Sequence, residues 1–164
     1  MRNCVAQNNG SDGFAFTANF LKNGLISNCV SQANSGDGFA ASNGSVSNLI
    51  FQDCVAQENT GDGFEVLGSL FNFSFKNCVA QDNVGDGFEF AATTTDCKII
   101  DCTALTNGGI GINNAGGDVN YVLGCASLGN IGGDYVGITD LTLISSYSAI
   151  GGVAAANRWM NISS

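Results

Sequence analysis

The chain has no histidine and no proline, and only 12% of its residues are charged. The missing histidine removes the commonest nitrogen ligand of a zinc site. Basic residues are scarce as well, five against fourteen acidic ones, for a net charge of −9. That balance argues against nucleic acid, whose binding rests on Lys and Arg neutralising phosphates. It argues equally against an anionic membrane surface, and an acidic exterior keeps an elongated protein soluble. No run approaches the ~18 apolar residues of a membrane-spanning helix, so no membrane insertion is expected. No signal peptide is visible, because repeated sequence begins at Asn3-Cys4.

A disulfide or metal framework is also missing. The seven cysteines are an odd number, and six of them recur at one repeat position. The close pair Cys97 and Cys102 has the wrong spacing for a metal site. Buried, reduced thiols acting as small hydrophobes are expected. This favours a reducing compartment, hence an intracellular location if Met1 is the native start. A surface or secreted location follows if the chain is a fragment.

What is abundant is Gly, 23 residues, together with Asn, in an eleven-residue motif. It reads CVAQNNGSDGF from Cys4, CVSQANSGDGF from Cys29, CVAQENTGDGF from Cys54 and CVAQDNVGDGF from Cys78. It decays to CTALTNGGIGI from Cys102 and CASLGNIGGDY from Cys125. The six cysteines are 25, 25, 24, 24 and 23 residues apart, a period that marks a solenoid. Three residues before each later cysteine is an apolar side chain: Ile26, Phe51, Phe75, Ile99 and Val122. Five residues after each is Asn: Asn9, Asn34, Asn59, Asn83, Asn107 and Asn130. Ten after stand Phe14, Phe39, Phe64, Phe88, Ile112 and Tyr135.

Short period-two runs then predict three strands per repeat. One ends before the Asn or Asp that precedes the cysteine. One starts at the cysteine, with Cys and Ala inward and Gln7, Gln32, Gln57 and Gln81 outward. One follows Gly-Asp-Gly and carries the inward Phe. Length varies only after the third strand, on one loop face. The expected fold is all-β: a right-handed, single-stranded parallel β-helix of six to seven coils of 22–25 residues. Coils start near Asn3, Asn28, Asp53, Asn77, Asp101, Gly124 and Ser146 in a single domain spanning 1–164. The seventh is read in Leu143 to Ala149, with Tyr147 in the cysteine slot. An Ala-rich tail, Val153 to Met160 with Trp159, suits a C-terminal cap over 153–164. Stacked copies put Cys on Cys, Phe on Phe, and Asn on Asn as an amide ladder.

The pattern apolar-x-Asn-Cys-x-Ala-x-x-Asn-x-Gly-Asp-Gly-Phe resembles the repeats of the pectin-lyase-like superfamily. Its closest likeness is to the generic units of carbohydrate-binding and sugar-hydrolase β-helices. The resemblance covers residues 3 to about 152 and implies architecture rather than one activity. Polygalacturonase-like members would show paired Asp, a Gly-His-Gly and an Arg-x-Lys. This chain has no His, and its arginines, Arg2 and Arg158, lie at opposite ends. Lyase-like members need clustered carboxylates on calcium and a basic residue, yet after Lys22 only Lys76 and Lys98 lie mid-chain. Neither catalytic set carries over.

One acidic cluster remains. Asp12, Asp37, Asp62 and Asp86 fall in one column, and repeats three and four add Glu58, Glu65, Asp82 and Glu89. Asp62 and Asp86 are the candidate catalytic pair, at either hydrolase separation of ~5–9 Å. Glu58, Asp62, Glu65, Asp82, Asp86 and Glu89 are the candidate ligand or cation set, Ca²⁺ being the cation for oxygen ligands. No other cofactor is expected. The competing reading is that each Asp caps its own Gly-Asp-Gly turn. The Phe column reads as core rather than sugar platform, and the Gln row as a solvated or glycan-facing surface. A single Thr93-Thr94-Thr95 run gives no ice-binding face. Asn-x-Ser at Asn9, Asn43, Asn72 and Asn161 matters only in a secreted protein. The functional expectation is a non-catalytic structural or binding module, in a longer fibre or self-assembling end to end or laterally. The alternative is a polysaccharide-active enzyme or glycan-binding module using the acidic face. Partners are accordingly itself or a glycan.

Overall fold

The computed structural model describes residues 1–17, 21–42, 46–68, 71–90, 94–115 and 121–137. The first coil supplies β1 (Val5–Gln7), β2 (Phe14–Phe16) and β3 (Lys22–Ser27). The second supplies β4 (Val30–Gln32), β5 (Phe39–Ser42) and β6 (Ser47–Gln52), the third β7 (Val55–Gln57), β8 (Phe64–Leu67) and β9 (Ser74–Lys76). The fourth holds β10 (Val79–Gln81), β11 (Phe88–Phe90) and β12 (Lys98–Ile100). The fifth holds β13 (Thr103–Leu105), β14 (Ile110–Asn114) and β15 (Tyr121–Leu123), and β16 (Ala126–Leu128) and β17 (Gly133–Val136) follow.

Every third strand pairs in parallel, giving three sheets. The cysteine sheet is β1-β4-β7-β10-β13-β16, the phenylalanine sheet β2-β5-β8-β11-β14-β17, and the closing sheet β3-β6-β9-β12-β15. Register follows the repeat: Val5 faces Val30, Phe39 faces Phe64, and Phe51 faces Phe75. Six strands in the cysteine sheet bound about five turns, fewer than the six to seven coils expected. The strand begins one residue after the cysteine, not at it. The expected seventh coil and the 153–164 cap lie outside the described residues.

Alternation along each strand turns the small and aromatic residues inward. In β8, Phe64 and Val66 are buried while Glu65 and Leu67 are half-exposed. Phe14, Phe39, Phe64 and Phe88 stack with centroids 4.8–4.9 Å apart, and Phe51 and Phe75 form a second stack at 4.8 Å. The two stacks meet edge to face, as between Phe64 and Phe75 at 5.5 Å, which suits ring quadrupoles better than face-on sandwiches. Cys29, Cys54, Cys78, Cys102 and Cys125 are buried and unbridged beside them. Each thiol contacts the carbonyl two residues upstream, Cys29 Sγ donating to Ser27 O at 3.3 Å and Cys125 Sγ to Leu123 O at 3.3 Å. Burial, and then contact with Cys125, pushes the Cys102 thiol up, and burial pushes Cys97 to about 11, so both stay protonated.

Corners between sheets are turned by single left-handed residues. Asn3, Asn28, Asp53, Asn77 and Asp101 hold φ of 51–54° just before the cysteine. Asn8, Ala33, Glu58, Asp82 and Thr106 hold 52–57° four residues after it, and Asn23, Asn48, Asn72 and Asp96 hold 57–59° entering or within the closing-sheet segment. Asn and Asp tolerate this region better than other residues with a Cβ. Beside the second corner runs the Asn ladder. Each amide Nδ2 donates to the next Oδ1, from Asn9 to Asn34 at 2.8 Å through Asn107 to Asn130 at 2.8 Å. The same Oδ1 also accepts the preceding Asn backbone N–H. Asn130 ends the ladder on Asp134, whose Oδ1 lies 3.0 Å from Asn130 Nδ2.

Candidate functional site

The column Asp12, Asp37, Asp62 and Asp86 sits where the Asn corner enters the phenylalanine sheet. Its carboxylates reach across coils. Asp37 N–H donates to Asp12 Oδ1 at 3.0 Å, Asp62 N–H to Asp37 Oδ1 at 2.7 Å, and Asp86 N–H to Asp62 Oδ1 at 2.6 Å. Ile110 N–H donates to Asp86 Oδ1 at 2.6 Å. The expectation that each Asp caps its own turn is therefore corrected: Oδ1 caps the turn of the next coil.

This explains the paired glycines. A Cβ at Gly36, Gly61, Gly85 or Gly109 would overlap the Oδ1 of Asp12, Asp37, Asp62 or Asp86 respectively. A Cβ at Gly63 would crowd the Gly87 carbonyl at 2.7 Å and the Ala80 methyl at 2.8 Å. These glycines make room; none of Gly36, Gly61, Gly63, Gly85 and Gly109 has a positive φ.

Of the six candidate ligand residues, the structure brings four together. Asp62, Glu65, Asp86 and Glu89 gather with Asp37 in two overlapping triads, Asp37–Asp62–Glu65 and Asp62–Asp86–Glu89. Within each triad one oxygen from each residue lies within 4.8 Å of the others. Glu58 and Asp82 stand apart on the left-handed corner. Glu58 accepts from Gln32 at 3.2 Å, and Asp82 accepts from Gln81 and Thr106. Asp37 was read as part of the column and not of the ligand set. Its inclusion follows from stacking Glu65 beside the preceding coil.

The cluster is electrostatically frustrated. Burial, then contact with Glu89, pushes the Asp62 carboxyl up to about 8. Burial, then the charge of Asp37, does the same to Glu65. Asn113 Nδ2 gives Asp86 Oδ2 a hydrogen bond at 2.7 Å. Two chemistries suit such oxygens: sharing protons, or holding a hard cation such as Ca²⁺. Each triad offers three carboxylate ligands of the ~6–8 that Ca²⁺ takes.

The other candidates are placed in the core or on the cysteine sheet. Phe39, Phe64 and Phe88 are buried, so no aromatic platform faces solvent there. Gln7, Gln32, Gln57 and Gln81 line the outer face of the cysteine sheet with Val5, Val30, Val55 and Val79. Of the Thr run, Thr94 is buried and Thr95 exposed, while Thr93 lies outside the described residues. The sequons at Asn43 and Asn161 also lie outside them.

No curated protein and no solved structure matches the chain. Residues 1–127 match the family described as right handed beta helix region. That match spans most of the 164 residues, and the three parallel sheets have the architecture the family name states. The likeness to pectin-lyase-like repeats is consistent with it. The chain belongs to the right-handed β-helix family.

Proposed function

We propose that this chain is a non-catalytic structural or binding module, a segment of a longer surface or fibre protein or a unit that stacks end to end. The observation that carries the reading is the use made of the Asp column. One oxygen of Asp12, Asp37, Asp62 and Asp86 is committed to the next coil, in coil after coil. A catalytic pair needs one position different from its copies, and this column repeats. Stacking is favoured by the first coil, where the inward residues Cys4, Phe14 and Phe16 are half-exposed. A further coil, from the same chain or another copy, would cover them and continue the strands. The test is turnover on a panel of acidic and neutral glycans with the wild type and the Asp62→Asn and Asp86→Asn variants. No turnover is expected; turnover lost in either variant overturns the reading.

One observation favours a second reading, a polysaccharide-active enzyme or glycan-binding module. Carboxyls of Asp62 and Glu65 raised to about 8 resemble those of a general acid held protonated near neutrality. Glycan binding without turnover, surviving both substitutions, would move the assignment to a passive binder.

A further inference from the structure

Asn-Gly is a dipeptide in which a backbone nitrogen readily attacks the amide side chain before it. Glycine has no Cβ to shield that nitrogen or to restrict the rotation that brings it into range. The dipeptide occurs four times, at Asn9, Asn23, Asn43 and Asn107. Asn43 lies outside the described residues. The fold treats the other three differently.

Asn107-Gly108 is held on both sides. Asn107 is fully buried, its Nδ2 donates to Asn130 Oδ1 at 2.8 Å, and its Oδ1 accepts from Asn83 N and Nδ2. The Gly108 N–H, the would-be nucleophile, donates to Asn83 O at 2.8 Å. Asn23-Gly24 is exposed but lies within β3, with Gly24 in register with Leu49 of β6. Its Oδ1 accepts from Asn48 Nδ2 at 2.9 Å. Asn9-Gly10 is held from one side only. Asn9 is exposed, and its N and Nδ2 donate to Asn34 Oδ1 at 3.0 and 2.8 Å. Among the described residues the Gly10 N–H has no acceptor. The same slot holds Ser35, Thr60, Val84, Gly108 and Ile131 in later coils, where each N–H donates to the preceding Asn carbonyl at 2.8–2.9 Å. Gly10 also faces open space, with no heavy atom within 4 Å of where a Cβ would stand.

We propose that Asn9-Gly10 is a self-modifying site, at which Asn9 becomes aspartate and isoaspartate while the ladder keeps Asn107 intact. The Gly10 nitrogen bonds to Asn9 Cγ, the Cγ–Nδ2 bond breaks, and Nδ2 leaves as ammonia with the proton from the Gly10 N–H. Water then opens the resulting succinimide at either carbonyl. The aspartate product sets an oxygen against Asn34 Oδ1 where Nδ2 donated before. The isoaspartate product reroutes the main chain through the side-chain carbon and displaces the carbonyl that accepts Ser35 N–H at 2.9 Å. Both loosen the first coil from the second. The proposal depends neither on end stacking nor on a glycan.

The test is incubation of the full chain at mildly alkaline pH, where more of the attacking nitrogen is deprotonated, followed by tryptic peptide mapping. Cleavage after Arg2, Lys22, Lys98 and Arg158 puts Asn9 in peptide 3–22 and Asn107 in 99–158. Asn9 is expected to convert ~10-fold or more faster than Asn107, because frayed segments open at almost no cost and core segments do not. In urea the two rates are expected to converge. Gly10→Ala puts its methyl into open space, so it is expected to keep the urea transition and slow conversion at least severalfold. Isoaspartate in peptide 3–22, read by enzymatic methylation, marks the succinimide route. Equal rates in the folded chain overturn the proposal. So does a gap that persists undiminished in urea, which would place its cause in sequence neighbours rather than the fold. Conversion as fast in Gly10→Ala, or aspartate without isoaspartate, would also overturn it.

Discussion

Asn59 shows what a single repeated residue does. Its side chain makes four hydrogen bonds: it accepts from Asn34 N and Nδ2, and it donates to Asn83 Oδ1 and Ser31 O. It is fully buried, so truncation strands neighbouring donors and an acceptor without water. Asn59→Ala is expected to cost about 3 kcal/mol in urea unfolding. Asn9→Ala, at the exposed end of the same ladder, is expected to cost less than about 1 kcal/mol. Ala33 works in the opposite direction. Its φ of 52° is poor for a residue with a Cβ and no polar side chain. Ala33→Gly is expected to raise stability by about 1 kcal/mol, and Ala33→Val to lower it by at least as much.

Between coils, the paired Gly and Asp form one joint. Gly61→Ala alone is expected to destabilise by ~2 kcal/mol or more, because the new methyl overlaps Asp37 Oδ1. Asp37→Ala removes the obstacle, so a double-mutant cycle should show coupling above ~1 kcal/mol between residues one coil apart. Strict additivity would contradict the joint. The triads give a pH signature of unusual sign. Asp62 and Glu65 bind protons more tightly folded than unfolded, so their contribution is complete below the unfolded carboxylate range of ~4. It is lost as pH rises through about 8. Urea midpoints are expected to fall from pH 5 to pH 9, and Asp62→Asn with Glu65→Gln to flatten that fall. The period, the three strands and the inward Phe were legible because each has its own spacing in the motif. The direction of the Asp bond was not, because a turn capping itself and a turn capping its neighbour share one sequence. Nor was the corner chemistry: Ala33, Glu58 and Thr106 carry no left-handed signature, and their backbone N–H groups are held by carbonyls of the next coil, as Ala33 N–H by Gln57 O at 3.1 Å. Asp134 was missed because it occupies the slot where earlier coils have Gly, and only its contact with Asn130 identifies it.

As a whole the molecule is a stack in which each coil touches its neighbours, and stability in such arrays is close to a sum over coils and interfaces. Among the described residues, the Asn ladder and one oxygen of each Asp in the column are turned along the axis. Each copy of the motif specifies one coil, complete and interchangeable. Excising one tests it most directly. Deleting residues 54–77, one 24-residue coil, joins Asp53 to Cys78 and keeps every column in register. This shortened chain is expected to retain β-sheet circular dichroism and a cooperative urea transition at a lower midpoint. Deleting 54–65 joins Asp53 to Val66, breaks every column and is expected to abolish the transition. A full-coil deletion that unfolds, or a half-coil deletion tolerated equally well, would contradict the account.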